Sequence, residues 1–125
     1  MTYKEIFETE LKKRGLKWCM SCDSVRSHKR GFVLFQAPDT VHYNSTIATR
    51  KILHRGLHEI AHGIYGKRAG LRSYQREAEA EQFATDTMHE YGVSVPRSTV
   101  ARGRAYIARR KRHGDNIIES KKQSA

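Results

Sequence analysis

A chain of 125 residues is about the length of one domain and can bury a modest core. Its hydrophobic fraction of 38% argues against disorder along the whole chain, and no segment approaches the roughly 18 apolar residues that cross a bilayer. The net charge of +11 is uneven, because residues 97–125 carry nine Lys or Arg against two acidic residues, or +7. The charged N-terminus lacks the apolar centre of a signal peptide, so we expect a cytoplasmic protein without a membrane partner.

The first part of the chain predicts a helix followed by a small sheet. Residues 3–14 have the apolar periodicity of a helix, and Gly15 is a fitting end for it. The alternating or β-branched segments that follow are typical of strands: residues 16–22, 31–36 and 40–43. The simplest arrangement of three strands in this order is an antiparallel meander.

Three further helices are expected after the sheet. Residues 44–46 (Asn-Ser-Thr) supply capping residues for a helix that runs to about Tyr65. A second helix covers about residues 74–91. A third, at about residues 98–112, is rich in arginine; Gly114 is expected to end it, and the last ten residues to be frayed.

The segment HEIAH at residues 58–62 contains the strongest chemical signal. Residues four apart on a helix stack about 6 Å from each other, so His58 and His62 can bind one ion together. Glu59 lies about 100° around the helix from His58, which suits a general base that takes a proton from water at the metal and delivers it to a leaving amine. The competing interpretation is a pair of surface histidines beside a solvated glutamate.

A zinc hydrolase needs a third protein ligand, which the next helix offers as Glu77, Glu79 or Glu81. Glu77 lies about 40° from the centre of the apolar stripe of that helix, Glu81 about 80° and Glu79 about 120°. Periodicity therefore favours Glu77 as the ligand. Glu81, one turn further on, is then a hydrogen-bond acceptor for the ligands, and Glu79 points to solvent.

The HEIAH segment is followed about fifteen residues later by the pattern ExxAxxFA, from Glu77 to Ala84, and then by Pro96. In this order of segments, residues 1–96 resemble the ImmA/IrrE family of metallopeptidases. The resemblance implies a catalytic base and three zinc ligands: Glu59, and His58, His62 and Glu77. It also implies a minimal gluzincin fold and a protease of phages, other mobile elements or stress responses that cleaves a helix-turn-helix repressor.

Two positions depart from the family pattern. Glu81 replaces the usual asparagine, and Ala61 replaces the usual glycine before the second histidine. The basic helix after Pro96 is not part of the shared motif.

Two histidines and a tyrosine near the motif allow two interpretations each. His54 lies one turn before His58 and is either near the site or an exposed or hydrogen-bonded helix residue. His42 or Tyr43 is a candidate for contact with the substrate backbone, because gluzincins often place an extended peptide along an edge strand. The alternative for Tyr43 is a place in the core.

The pair Cys19 and Cys22 forms a single CxxC segment. Together with His28 it could provide three ligands of a second zinc site, and two free thiols are the favoured alternative.

The C-terminal arginines form a basic face that could follow a phosphate backbone without reading sequence, or could keep a solvated helix soluble. The basic residues of this face surround a thin apolar line that includes Val100 and Ile107. They are Arg97, Arg102, Arg104, Arg109, Arg110, Lys111 and Arg112.

The sequence as a whole predicts an α+β protein with a metallopeptidase-like domain at residues 1–96 and a basic helix and tail at residues 97–125. The expected function is a zinc-dependent endopeptidase. The alternative is a nucleic-acid-associated or partner-binding protein of a mobile element with a structural zinc.

Overall fold

The computed structural model describes residues 1–20, 33–36, 39–43, 46–66 and 70–124. Within these ranges the elements are, in chain order, α1 (Tyr3–Lys13), β1 (Lys17–Met20), β2 (Val33–Gln36), β3 (Thr40–Tyr43), α2 (Arg50–Tyr65), α3 (Ser73–Glu90) and α4 (Arg97–Ser124). The mixture of helices with one small sheet confirms the expected class, and helix predominates. None of the helices in the described ranges combines the length and apolarity needed to cross a membrane.

The sheet is mixed, so the predicted antiparallel meander is wrong. The strand order is β1-β3-β2, with β1 parallel and β2 antiparallel to β3. Adjacency in the sequence does not determine which strand becomes central; burial does. Val41 in β3 is fully buried, whereas Trp18 in the edge strand β1 is 40% exposed, and the strand with the greater apolar burial occupies the shielded position.

Helix α1 forms as expected and packs closely on α2. Thr2 and Glu5 form a capping box, which satisfies free backbone N–H groups at the first turn. The buried Phe7 lies against Gly56 of α2, where a Cβ atom would stand 2.8 Å from the ring. Gly56 therefore allows the close approach that holds α2 on α1.

Helix α2 begins later than the sequence predicts. Its N-cap is Thr49, whose hydroxyl accepts a hydrogen bond from the backbone N–H of Ile52, and not a residue of 44–46. The reason is the burial of Ile47, which packs into the core just before the cap, so that residues 46–48 stay outside the helix. From Thr49 the helix runs to Tyr65, as expected, and Gly66 follows with a positive φ of 58°.

Helices α3 and α4 complete the structure. Helix α3 buries part of the predicted apolar stripe, including Ala80, Ala84 and Met88, and packs against α2. Helix α4 packs on α3 and continues to Ser124, so the predicted end at Gly114 is wrong. A glycine inside a helix costs about 1 kcal/mol relative to alanine, but it ends the helix only where it adopts positive φ, which Gly114 does not. The division into domains at residue 96 stays a prediction.

Candidate metal centre

Three side chains at the interface of α2 and α3 can hold a metal ion: His58, His62 and Glu77. Nε2 of His58 lies 2.8 Å from Oε2 of Glu77 and 3.0 Å from Nε2 of His62. Nε2 of His62 lies 3.3 Å from Oε2 of Glu77. A tetrahedral zinc ion with ligands at 2.0–2.1 Å separates its donor atoms by about 3.3 Å. The three donors therefore lie close to the positions that a zinc ion requires.

The local sequence explains how the two helices bring these donors together. The spacing of four residues puts both histidines on the face of α2 that meets α3. Ala61, Ala80 and Ala84 are buried, and their small side chains allow α2 and α3 to approach each other closely. The three side chains predicted as ligands thus lie in one cluster, and Glu77 is its acidic member. Their role as zinc ligands stays a prediction.

In the metal-free protein, His58 and Glu77 each favour the charged form of the other. Burial acts to lower the pKa of His58, but the contacts with Glu77 and Glu81 outweigh burial and raise it to about 9. Burial acts to raise the pKa of Glu77, but its contacts with the two histidines hold this pKa well below the usual range. A metal ion that binds here must therefore displace a proton from His58.

Glu59 lies beside the triad without belonging to it. Its Oε2 accepts a hydrogen bond of 3.0 Å from the backbone N–H of Phe35 in β2. Burial raises the pKa of the Glu59 carboxyl, and the hydrogen bond from Phe35 opposes this shift. Since β2 is an edge strand, Glu59 connects the helix that carries the histidines to an edge of the sheet. The role of Glu59 as a base stays a prediction.

Glu81 contacts His58 on the ring nitrogen that faces away from the other two residues of the triad. Its Oε1 lies 3.1 Å from Nδ1 of His58, close enough for an ionic contact but without hydrogen-bond alignment. Its Oε2 lies 3.5 Å from Nε2 of His54. Glu81 therefore lies against His58, one turn from Glu77, as periodicity predicts; its role as an acceptor that supports the ligands stays a prediction.

His54 is neither exposed nor part of the triad. It is only 3% exposed, and its Nε2 lies 3.2 Å from the hydroxyl of Thr85. Burial lowers the pKa of the imidazole, although the nearby Glu81 acts to raise it. His54 is thus a buried, hydrogen-bonded histidine that lines the cleft beside the metal centre.

A cleft of about 550 Å³ opens onto the triad between α2 and α4. Helix α4 contributes four residues to its lining: Thr99, Arg102, Gly103 and Tyr106. The metallopeptidase motif contains no residue of α4, so sequence reasoning missed this wall. The one sequence feature that could have indicated a close contact of this helix with the site is Gly103, a glycine between two arginines.

Of the remaining candidate residues, those that the structure describes do not line the cleft. His42 and Tyr43 lie on the central strand β3, so the expectation that they line an edge strand is wrong. Cys19 is disulfide-bonded, so the expectation of a free thiol at this position is also wrong. Cys22 and His28 lie outside the described residues.

Comparison of the chain with family models, with curated proteins and with solved structures gives no match. The resemblance to the ImmA/IrrE metallopeptidases therefore stays a prediction that rests on the HEIAH and ExxAxxFA segments.

Proposed function

We propose that this chain is a zinc-dependent endopeptidase with a minimal gluzincin-like fold. The observation that carries the proposal is the convergence of His58, His62 and Glu77 on one point, with Glu59 beside it in a cleft. A purely structural zinc site is usually closed by four protein ligands and has no use for a neighbouring carboxylate. Three ligands leave one coordination position for water or substrate.

The donor set favours zinc as the metal. Two imidazoles and one carboxylate are the ligands of many hydrolytic zinc sites, whereas magnesium and calcium prefer sites made of oxygen ligands alone. Bound zinc supplies Lewis-acid activation of water and of the scissile carbonyl group.

The reaction proposed for this chain depends on Glu59 as the proton carrier. Its carboxylate accepts the proton that water loses during attack on the peptide carbonyl, and then delivers that proton to the leaving amine. The backbone N–H of Phe35 holds one carboxylate oxygen, which leaves the other for the proton. Burial raises the pKa of Glu59 and so makes it a better base than a solvated glutamate.

The proposed substrate is a protein, because the cleft can take several residues of a peptide chain. The resemblance to the ImmA/IrrE family nominates a helix-turn-helix repressor of a phage or other mobile element. A cytoplasmic location would place the enzyme beside such a repressor.

Glu59→Gln tests the proposal directly. The amide keeps the size of the side chain but cannot take a proton, so hydrolysis of an unstructured protein such as casein should fall by about 10²–10⁴-fold. Zinc content and thermal stability should stay near wild type, because no ligand has changed. Equal activity in wild type and variant would remove Glu59 from the reaction and leave the triad as a metal anchor.

A second candidate function is non-specific nucleic-acid binding through α4. The observation that favours it is the exposure of Arg109, Arg110 and Arg112 on one helix. Their replacement by glutamine should weaken binding to duplex DNA and reduce its dependence on salt, by up to about 0.9 in the log–log slope per lost phosphate contact. Truncation of the chain is a poorer test because α4 also forms a wall of the cleft.

A further inference from the structure

The cleft beside the metal triad has a positively charged rim that two helices contribute. Lys51 and Arg55 lie one turn apart on α2, and Arg102 faces the same cleft from α4. All three residues are exposed at the mouth of the cleft. The other titratable residues with charged side chains in the lining surround the metal position: His54, His58, Glu59, His62, Glu77 and Glu81. Outside the metal centre, the charge that a ligand meets in this cleft is therefore positive.

The cations lie in line with the metal centre. Lys51, Arg55 and Glu59 are spaced by four residues and form one row along α2. With a rise of about 1.5 Å per residue, Arg55 lies about 6 Å and Lys51 about 12 Å from Glu59 along the helix axis. An extended peptide advances about 3.4 Å per residue, so a peptide that follows this row brings its second to fourth residue past the cations.

A buried hydroxyl group in the same wall points to a polar ligand. Oγ1 of Thr99 is buried, lines the cleft and has no hydrogen-bond partner among the described residues. A buried polar group without a partner costs free energy, which a bound acceptor would recover. Thr99 lies one helical turn before Arg102, so both can reach one ligand group.

We propose that the cleft selects peptides that carry Asp or Glu within about four residues of the cleaved bond, through Lys51, Arg55 and Arg102. This inference rests on the proposed peptidase function and adds the substrate class to it. A carboxylate suits the site because lysine and arginine are donors only, and Thr99 can donate one further hydrogen bond. A phosphate backbone would offer similar acceptors, but the place of the cations next to a hydrolytic centre in a cleft of this volume favours a peptide.

The test maps cleavage sites in a library of peptides. The zinc-loaded full chain is incubated with peptides derived from a whole proteome, and the products are identified by mass spectrometry. Asp and Glu should be enriched about fivefold, relative to their frequency in the library, at one or more of the four positions on one side of the cleaved bond. The Glu59→Gln protein provides the blank for contaminating peptidases.

Two charge reversals on α4 provide matched variants. Arg102→Glu should abolish or reverse the enrichment of acidic residues. Arg104→Glu carries the same change of net charge, but Arg104 is exposed on α4 and does not line the cleft, so the enrichment should persist.

The outcomes separate this inference from the function on which it rests. Cleavage without acidic enrichment, or enrichment that survives both Arg102→Glu and Lys51→Glu, overturns the substrate class and leaves the peptidase standing. Enrichment lost equally in Arg104→Glu also overturns it, because net charge would then be the cause. No cleavage by the wild type above the Glu59→Gln blank overturns the peptidase and the substrate class together.

Discussion

The backbone of Gly103 in α4 lies directly against the carboxylate of Glu81 in α3, so that a Cβ atom at position 103 would stand 2.7 Å from Oε2 of Glu81. The same carboxylate contacts His58, a member of the triad, and His54. The C-terminal helix is thus linked to the metal centre through one side chain. This contact connects the part of the chain outside the metallopeptidase motif to the part within it.

Gly103→Ala should weaken zinc binding while it changes stability little. The new methyl group must displace the end of a flexible side chain, so the Glu81 carboxylate should move and lose its contact with His58. Loss of a group that supports a metal ligand typically costs about 10–100-fold in affinity. The gain in helix propensity, up to about 1 kcal/mol, offsets the strain. Zinc affinity is measured by competition with a chromophoric chelator, and stability by thermal unfolding.

Gly114→Ala is the matched control on the same helix. A Cβ atom at position 114 meets nothing within 4 Å. This variant should gain up to about 1 kcal/mol of stability and bind zinc like the wild type. If both alanine variants bind zinc equally well, the contact between Gly103 and Glu81 has no part in holding the metal.

Three glutamates of α3 should differ in their effect on metal content. The wild type should purify with about one zinc ion per chain, and Glu77→Ala should lose it because only two ligands remain. Glu81→Ala should retain zinc with about 10–100-fold lower affinity, and Glu79→Ala, outside the triad, should match the wild type. Metal analysis after dialysis measures the zinc content of the wild type and of each variant. Full zinc in Glu77→Ala together with loss in Glu81→Ala would reverse the assignment of the third ligand.

The metal centre was predictable because it depends on local geometry. The spacing of His58 and His62 is a property of any helix, and the apolar stripe of α3 alone was sufficient to select Glu77. The strand order was not predictable in this way, since it depends on which strand buries most surface after the helices have packed. The position of α4 over the cleft depends on the contact of Gly103 with a residue more than twenty positions earlier, and no local pattern encodes such a contact.

A second buried contact should matter for stability and not for the metal centre. The hydroxyl of Tyr91 donates a hydrogen bond of 2.7 Å to Oε1 of Glu10, which is only 2% exposed. Tyr91→Phe removes this donor and leaves a buried carboxylate with the longer contacts to Lys13 and Arg14. The free energy of unfolding should fall by about 1–3 kcal/mol.

Urea denaturation at neutral pH measures this change in the free energy of unfolding. Tyr3→Phe, a change of the same atoms at a partly buried tyrosine of α1, is the control and should cost less. Zinc affinity should stay at the wild-type value in both variants, because neither residue lines the cleft. A free energy of unfolding that is equal in Tyr91→Phe and Tyr3→Phe would mean that Lys13 and Arg14 alone satisfy Glu10.

Above pH 6.5 the stability of the metal-free protein should fall, whereas that of the zinc-loaded protein should stay nearly constant. Burial acts to lower the pKa of His58, but Glu77 and Glu81 raise it from 6.5 to about 9 in the metal-free fold. A raised pKa means that the folded state holds the proton more tightly than the unfolded state does. The contribution to stability is therefore complete below pH 6.5 and is lost as the pH rises to about 9.

Zinc removes this dependence because the metal and the proton compete for the same imidazole. As the pH rises through the same window, less free energy is needed to deprotonate His58, so zinc affinity should increase. This increase offsets the loss in the metal-free fold, because neither the zinc-loaded protein nor the unfolded chain holds a proton on His58 above pH 6.5. His54 does not obscure the effect: its pKa is lowered by burial, so its contribution changes only below pH 6.5. Thermal unfolding between pH 6.5 and 8.5, in chelator and at a fixed free zinc concentration, measures both slopes. The metal-free slope should flatten in His58→Ala; an unchanged slope in that variant would show that another group titrates, and that the contact of His58 with Glu77 does not stabilise the metal-free fold.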